Sequence, residues 1–554
     1  MTKLPLSALR RRLRQEDGVS MIITLGVLLV TSSLLVAVFT SSIGEIKLTS
    51  SDTAAKKAYY AAQAGISDYM YHLTQDSNYL TYCTSPSPAN PALNQLSEGT
   101  THRAKVAGTT DEEYAIDLIP AETAPSTDKK CDTANLIETM VEERGAAAGT
   151  FRLESTGFSE GKQRTIVATF RNANFVSYVW YDVYETGDPA VYGEADEKEP
   201  AKYNLCGQFY ELRPSYCATF NNFFFTGESV KGPMHTEDHV GICGSPVFGR
   251  TPIDHIEFGY SYNGDEGYSN EGCGTSASPS FKGTHIPPAE VPSLKPPPSD
   301  EELEHVVEPA YHFTEKTEII LEGTTMTIKT HVGSTCKPTE ACAETKTSGV
   351  AFPPNGVIYV SGGCSSAYSP FGPKPTYTAD TNCGNVYVRG EYTLPLTIAS
   401  QNDVVINGNI LAPHNSEGAP TSTAMLGLIA NNFIRVYHPL EKSRTGPNYT
   451  ECGSSENASN DLKEPTVYAA MLALKHAVIV DNFDCGKPTL GHLNVFGAVA
   501  ALYSNGLTGV GSGGTIIHGY QYNANYDNRL QAEEPPHFLN PIQAAWYIQR
   551  ETQP

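Results

Sequence analysis

The chain has 554 residues, more than one hydrophobic core usually serves, so two or three domains are expected. With 38 Lys and Arg against 61 Asp and Glu, the net charge of −23 argues against nucleic acid as a partner. Charged residues make up only 18% of the chain while Gly and Pro number 47 and 37, which points to a secreted, strand-rich protein rather than a cytosolic enzyme.

The first element is a basic cluster, Arg10-Arg11-Arg12-Leu13-Arg14, followed by Gln15-Glu16-Asp17-Gly18 and an uncharged run from Val19 to Gly44. That run is about 26 residues long, and about 20 suffice to span the hydrocarbon core. The cluster should stay cytoplasmic, which sends the rest of the chain outward from a bacterial cell membrane, as a single-pass protein displayed at the cell surface. Three readings are open: a cleaved secretory signal, a plain signal anchor, and a prepilin-type leader ending in Gly at the membrane surface. A secretory signal needs an apolar core of only about 7–15 residues, so the run is too long for the first. The residues beyond Gly44 favour the third. Ala55, Ala58, Tyr59, Ala62, Ile66, Tyr69 and Leu73 recur at steps of three and four and line one helical face. A single helix from Val19 to Leu73 would be roughly 80 Å long, far more than a bilayer requires, and suits a subunit that leaves the membrane to pack in a filament.

The segments Gly18-Val19-Ser20-Met21-Ile22-Ile23-Thr24-Leu25 and Ala58-Tyr59-Tyr60-Ala61-Ala62-Gln63-Ala64-Gly65-Ile66 resemble the N-terminal region of PilX-type minor pilins of type IV pili. The resemblance covers about residues 10–73. It implies cleavage after Gly18 by a prepilin peptidase and N-methylation of Val19. It also implies filament packing through Ala55, Ala58, Tyr59, Ala62, Ile66 and Tyr69, with other pilin subunits and the pilus assembly machinery as partners. Two departures refine it. Val19 stands where major pilins begin with Phe or Met, and Ile23 stands where they carry Glu. A Glu there would be an expensive charge in an apolar filament core unless paired. Its absence resembles minor pilins and pseudopilins, which prime or cap a filament.

Residues 74–148 are polar and irregular, with a strand candidate at Ala115–Ile119. Phe151–Gly157 and Arg164–Phe170 alternate apolar and polar residues across a turn, a strand pair for a small pilin-like sheet on the helix. Tyr178–Pro189 is aromatic at strand spacing and reads as core. Its carboxylates Asp182, Glu185 and Asp188 are oxygen ligands of the kind Ca²⁺ takes, though turn roles are commoner. The Pro-rich stretch 286–300 is extended, either a linker between domains or a strap along one.

From Glu315 to Ile517 short β-rich runs recur, separated by Gly, Asn or Asp. Val386–Val388, Leu396–Ile398, Val404–Ile406, Ile410-Leu411 and Leu426–Ile429 are the clearest, with Asn407-Gly408 as a turn. Such spacing fits a right-handed parallel β-helix of about three strands per coil, with a β-sandwich as the alternative. Asn385–Gly390, Leu396–Ala399 and Leu426–Asn432 also resemble the C-terminal part of large PilX-like surface proteins. Pro541–Gln549, with Ile542, Ala545, Trp546 and Ile548, reads as a short capping helix.

Twelve cysteines, none in the leader or the span, suit disulfides in an oxidising exterior. Sequence-local couples would be Cys83/Cys131, Cys206/Cys217, Cys243/Cys273, Cys336/Cys342, Cys364/Cys383 and Cys452/Cys485, one connectivity among many. His235 and His239 are weak metal candidates, because the intervening Glu is not in the HExxH position and the flanking glycines and proline oppose a helix. Asp380, Asp403, Arg389 and Arg435 could serve a carbohydrate-active site, but nothing in the sequence selects them.

The expected fold is therefore α+β, mainly β: a long N-terminal transmembrane and amphipathic helix, a small pilin-like sheet, then a right-handed parallel β-helix. The divisions expected are a leader at 1–18, the helix at 19–73, a pilin-like head at 74–185, a loop-rich β region with the Pro-rich linker at 186–300, the β-helix-like domain at 301–540 and a helical tail at 541–554. The expected role is that of a non-enzymatic minor pilin or pseudopilin-like subunit of a type IV pilus-like filament, with no cofactor. Its β-rich head would serve assembly, tip interaction or adhesion to surface glycans or proteins. The alternatives are a membrane-anchored β-helix carbohydrate-active enzyme and an anchored adhesin outside any filament.

Overall fold

A computed structural model describes residues 6–75, 79, 92–94, 102–121, 150–172, 174–192, 205–220, 222–271, 273–291, 293–331, 344–362, 383–442, 452, 456–504, 508–510, 516–531, 533–541 and 546–553. One helix, α1 (Leu6–Gln75), runs unbroken through Gly18 and Val19. No proline interrupts it, and in its apolar half the hydroxyls return to the helix's own carbonyls. Thr24 donates to Ser20 O at 2.6 Å, Thr31 to Val27 O at 2.8 Å and Thr40 to Val36 O at 3.0 Å. Hydroxyls satisfied in this way can enter an environment that offers no water.

The C-terminal half of α1 lies on a small sheet. Strands Glu113–Ile119, Thr150–Ser159 and Lys162–Asn172 pair antiparallel in chain order. The strand Trp546–Thr552 then adds antiparallel to Lys162–Asn172, with Trp546 opposite Asn172 and Thr552 opposite Val167. This corrects the expected helical tail. A segment of seven residues with Trp, Tyr, Ile and Thr satisfies its backbone better on an open sheet edge than as an isolated helical turn. The small domain is thus discontinuous, and everything between Asn172 and Trp546 is an insertion between two neighbouring strands.

The inserted head is built of parallel ladders. One ladder stacks, in spatial order, His312–Thr314, Val357–Ser361, Leu396–Ser400, Leu426–Ala430, Thr466–Ala473, His492–Tyr503, Trp180–Tyr184, Met234–Thr236, His255–Phe258 and Thr284–Ile286. A second stacks Thr317–Gly323, Val386–Tyr392, Val404–Leu411, Ile434–Val436 and Val478–Val480. Strands buried on their inner face read as the Val/Ile/Leu runs seen in the sequence. The Asn407-Gly408 pair is no hairpin turn. Val404–Leu411 is one strand with a bulge, where Val388 faces Ile406 and Gly390 faces Ile410.

Spatial order differs from chain order. The chain enters the stack at its middle with Trp180–Tyr184, builds to one end at Thr284–Ile286, reappears at the other end with His312–Thr314, and returns to the middle. There Ala500 faces Tyr181 and Asn523 faces Ser229. The Pro-rich segment makes the crossing. Tyr181 donates to Leu294 O at 2.6 Å, Asn431 Nδ2 donates to Asp300 Oδ1 at 2.6 Å, and Tyr359 donates to the same oxygen at 3.0 Å. Its own Leu294 is buried, as are Leu303 and Val307 just after it. It is a strap along one body, and a single apolar core runs from Phe175 to Leu539 in place of separate domains at 186–300 and 301–540.

Disulfides join Cys206–Cys217, Cys243–Cys273 and Cys452–Cys485, with Cα separations of 5.4, 5.9 and 5.7 Å. Cys383 is disulfide-bonded as well. Cys83, Cys131, Cys336, Cys342 and Cys364 lie outside the described residues, as does Asp380.

Candidate functional site

The site with the plainest chemical demand is α1 itself. Ser20–Ser42 is long and apolar enough to cross a membrane, and none of it is buried by the rest of the chain. Met21, Ile22, Leu28, Leu35 and Phe39 are each more than 60% exposed. An apolar surface of this extent needs lipid or other apolar helices around it.

The other half of the helix meets the small sheet at very short range. Ala58, Ala62, Ile66, Tyr69 and Leu73 are buried with Ile116, Leu118, Phe151, Leu153, Ile166 and Phe170. Phe151 and Phe170 stack at 5.0 Å, and Tyr69 tilts onto both at 6.0 Å. Ser155 Oγ donates to Ala62 O at 2.8 Å, a strand-to-helix bond that only small residues allow. The stripe expected to pack against neighbouring subunits therefore packs against the chain's own sheet. Small and aromatic residues on one face serve a tight intramolecular contact as readily as an intermolecular one. Asp52, Lys56, Tyr60, Ser67 and Tyr71 form the outward face, with Tyr60 66% and Tyr71 61% exposed. Lys56 and Asp52 pair there at 2.8 Å.

The second candidate is the histidine pair. His235 lies on Met234–Thr236 and His239 just ahead of Val240–Cys243. Both are fully buried, and each ring is held at both nitrogens by carboxylates. His235 meets Glu257 at 2.8 Å and Glu237 at 3.3 Å; His239 meets Glu271 at 2.6 Å and Asp265 at 2.9 Å. Burial alone would lower the pKa of His235, but the bonded carboxylates outweigh it and raise it to about 9. His239 is raised by the same opposition. Each ring is clamped between two carboxylates, with no ring nitrogen left for a metal. Among the described residues no group of three or more His, Cys, Asp or Glu side chains is arranged to hold one.

Two of the neighbouring carboxylates are engaged as well. Asp238 pairs with Arg213 inside the body, and Asp188 accepts from His476 at 2.9 Å and from Ala190 N at 2.8 Å. Asp182 and Glu185 are buried beside each other. Burial, then the neighbouring carboxylate, raises Asp182, and burial lifts Glu185 to about 7. Asp403 and Arg435, candidates for a carbohydrate site, form a buried ion pair within the stack, while Arg389 pairs with Glu318 at 3.1 Å. The sequence carried no signal for these pairings, because partners lie one coil apart and tens of residues away.

These groups set a pH dependence. Burial raises Glu185, Glu228, Asp300 and Glu534 to about 7. Each costs stability as pH rises from its unfolded value near 4 towards 7. The His235 clamp stabilises fully below about 6.5 and is lost as pH rises through 9. Glu257, held at about 2 by His235 against its own burial, is lost only in strong acid. The melting temperature of the head should therefore peak near pH 5 and fall steadily to pH 9. Thermal scans across that range check this, and a melting temperature that rises from pH 5 to 8 contradicts it.

In the comparisons with known proteins, no family model matches the chain and no curated protein does. Among solved structures the chain is similar to the competence-associated pilin ComZ from Thermus thermophilus, at 11% identity and a TM-score of 0.27, covering 90% of this chain and 98% of that one.

Proposed function

We propose that this chain is a non-enzymatic pilin-like subunit of the minor pilin or pseudopilin kind, carrying a large extracytoplasmic head. One observation carries the reading: a single helix is bare and apolar over Ser20–Ser42 and docked on its own antiparallel sheet beyond. The bare half is held in the membrane before assembly and among other subunits' helices after it. Gly18 is the cleavage point and Val19 the methylated terminus. Ile23, 59% exposed on the bare half, spares the filament core an unpaired charge and suits a priming or tip position.

The head is a right-handed parallel β-helix. Three strands recur per coil: 223–225, 229–231 and 234–236; then 240–243, 247–248 and 255–258; then 268–269, 280–281 and 284–286. Each pairs in parallel with its counterpart one coil on, and parallel crossovers are right-handed in nearly all sheets. The head is offered to a surface glycan, a surface protein or another minor subunit.

Intact-mass measurement of the membrane form tests the reading. A chain beginning at N-methylated Val19 is expected; one beginning at Met1 in cells that possess a prepilin peptidase sinks it. Recovery with sheared filaments separates a filament subunit from an anchored adhesin.

A further inference from the structure

The head leaves the small sheet at Asn172 and returns to it at Trp546, and these two residues face each other across adjacent strands. Just outside the sheet the two connections are clamped together. Asn174 Nδ2 donates to Glu534, Asn540 donates to the same carboxylate at 3.4 Å, and Tyr526 Oη donates to Val176 O at 2.8 Å. Ser177 Oγ donates to Asn174 Oδ1 at 2.7 Å and holds that side chain in place. The head itself closes only in the middle of its stack, where its first strand, Trp180–Tyr184, meets His492–Tyr503 and where Ser229–Lys231 meets Gln521–Tyr526. Those pairings require almost the whole chain.

We propose that the strand Trp546–Thr552 is a completion latch: the sheet on α1 acquires its outer strand only after the head has folded and brought its two ends to the neck. With the head folded, docking of the strand is a local event next to Glu534. With the head unfolded, the same pairing closes a loop of several hundred residues, and the docked population falls on the order of 1,000-fold or more. An unfinished head therefore leaves Lys162–Asn172 as an open edge on the anchoring domain, the kind of edge that pairs non-specifically and opens to proteases. The latch holds whether or not α1 joins a filament.

Hydrogen exchange with mass spectrometry on the full chain in detergent, across a urea series, tests this. Peptides covering 426–430 and 466–473 report the head, and 546–552 reports the latch. The 546–552 amides should lose protection in the same step as the head peptides, while 150–159 and the docked part of α1 stay protected. Arg435→Met, which weakens the head, should move both losses together to lower urea. A population with an exchanged head and a protected 546–552 strand overturns the proposal. A chain ending at Pro541 should keep the head transition in place and speed exchange of the 167–172 amides on the order of 100-fold. A head transition that moves with that truncation makes the strand part of the head's own folding unit, and overturns it too.

Discussion

Replacing Gly157 with valine is expected to undock α1 from its sheet. A Cβ at Gly157 would sit 2.0 Å from Ala58 O and 2.3 Å from Ala62 N, so it meets helix backbone rather than a side chain that can turn away. Valine is otherwise a favoured strand residue, and propensity alone would make the change neutral or stabilising. The steric term wins because helix and strand must separate by an ångström or more. The buried set of Ile66, Tyr69 and Leu73 then opens, each worth ~1.5–3 kcal/mol. We expect a loss of about 3 kcal/mol or more in the small domain, beyond the usual range for overpacking. The matching change at Gly65, where a Cβ would meet Ser155 Oγ at 2.4 Å and Tyr114 at 2.7 Å, should be milder because side chains can shift. Exchange protection of α1 beyond Ala54 is the readout. Unchanged protection in Gly157→Val would show that the contact does not hold the helix.

Arg435→Met is expected to destabilise the head by about 3–5 kcal/mol, the range for removing one partner of a buried ion pair. Arg435 is 1% exposed. Its Nε donates to Asp481 at 2.7 Å and its Nη1 to Asp403 at 3.2 Å, one coil to either side. Methionine fills much of the space but removes the guanidinium charge shared by two buried carboxylates. Burial already raises Asp403 to about 6 with the arginine in place, so its loss pushes that carboxyl further towards the neutral form. The triple variant Asp403→Asn, Arg435→Met, Asp481→Asn should recover most of the loss, since neutral groups need no counter-charge. Urea unfolding of the three proteins decides it. A single variant as stable as wild type would mean that water or relaxation satisfies the carboxylates.

Much of α1 and its sheet is legible in the residues. Length without charge or proline specifies the helix, and alternation specifies Thr150–Ser159 and Lys162–Asn172 to within a few residues. Many of the β-rich runs expected between Glu315 and Ile517 also fall on strands, because strands buried on their inner face must be apolar wherever they pair, although Glu344–Ala351 and Thr466–Ala473 are not among those runs. The tail reads wrongly as a helix because four apolar residues near Trp546 fit a helical turn as well as a strand, and only an available sheet edge distinguishes them. Ala58, Ala62, Ile66 and Tyr69 mislead for a related reason: periodicity shows that a face is buried, not against what. His235 and His239 resemble metal ligands in sequence because the chemistry that occupies them, Glu257, Glu271 and Asp265, lies 22 to 32 residues away.

By itself the sequence determined which surfaces had to leave water: the bare span of α1, the stripe below it and the inner faces of the head strands. It did so because apolar spacing is a local property, read over one or two turns. The tertiary structure alone decided which surfaces meet. It set the head between Asn172 and Trp546, joined Tyr181 to Ala500, and ran the Pro-rich strap from one end of the stack to the other. Pairing between strands hundreds of residues apart depends on loop closure and on complementary backbone edges, and neither leaves a local mark on the residues involved.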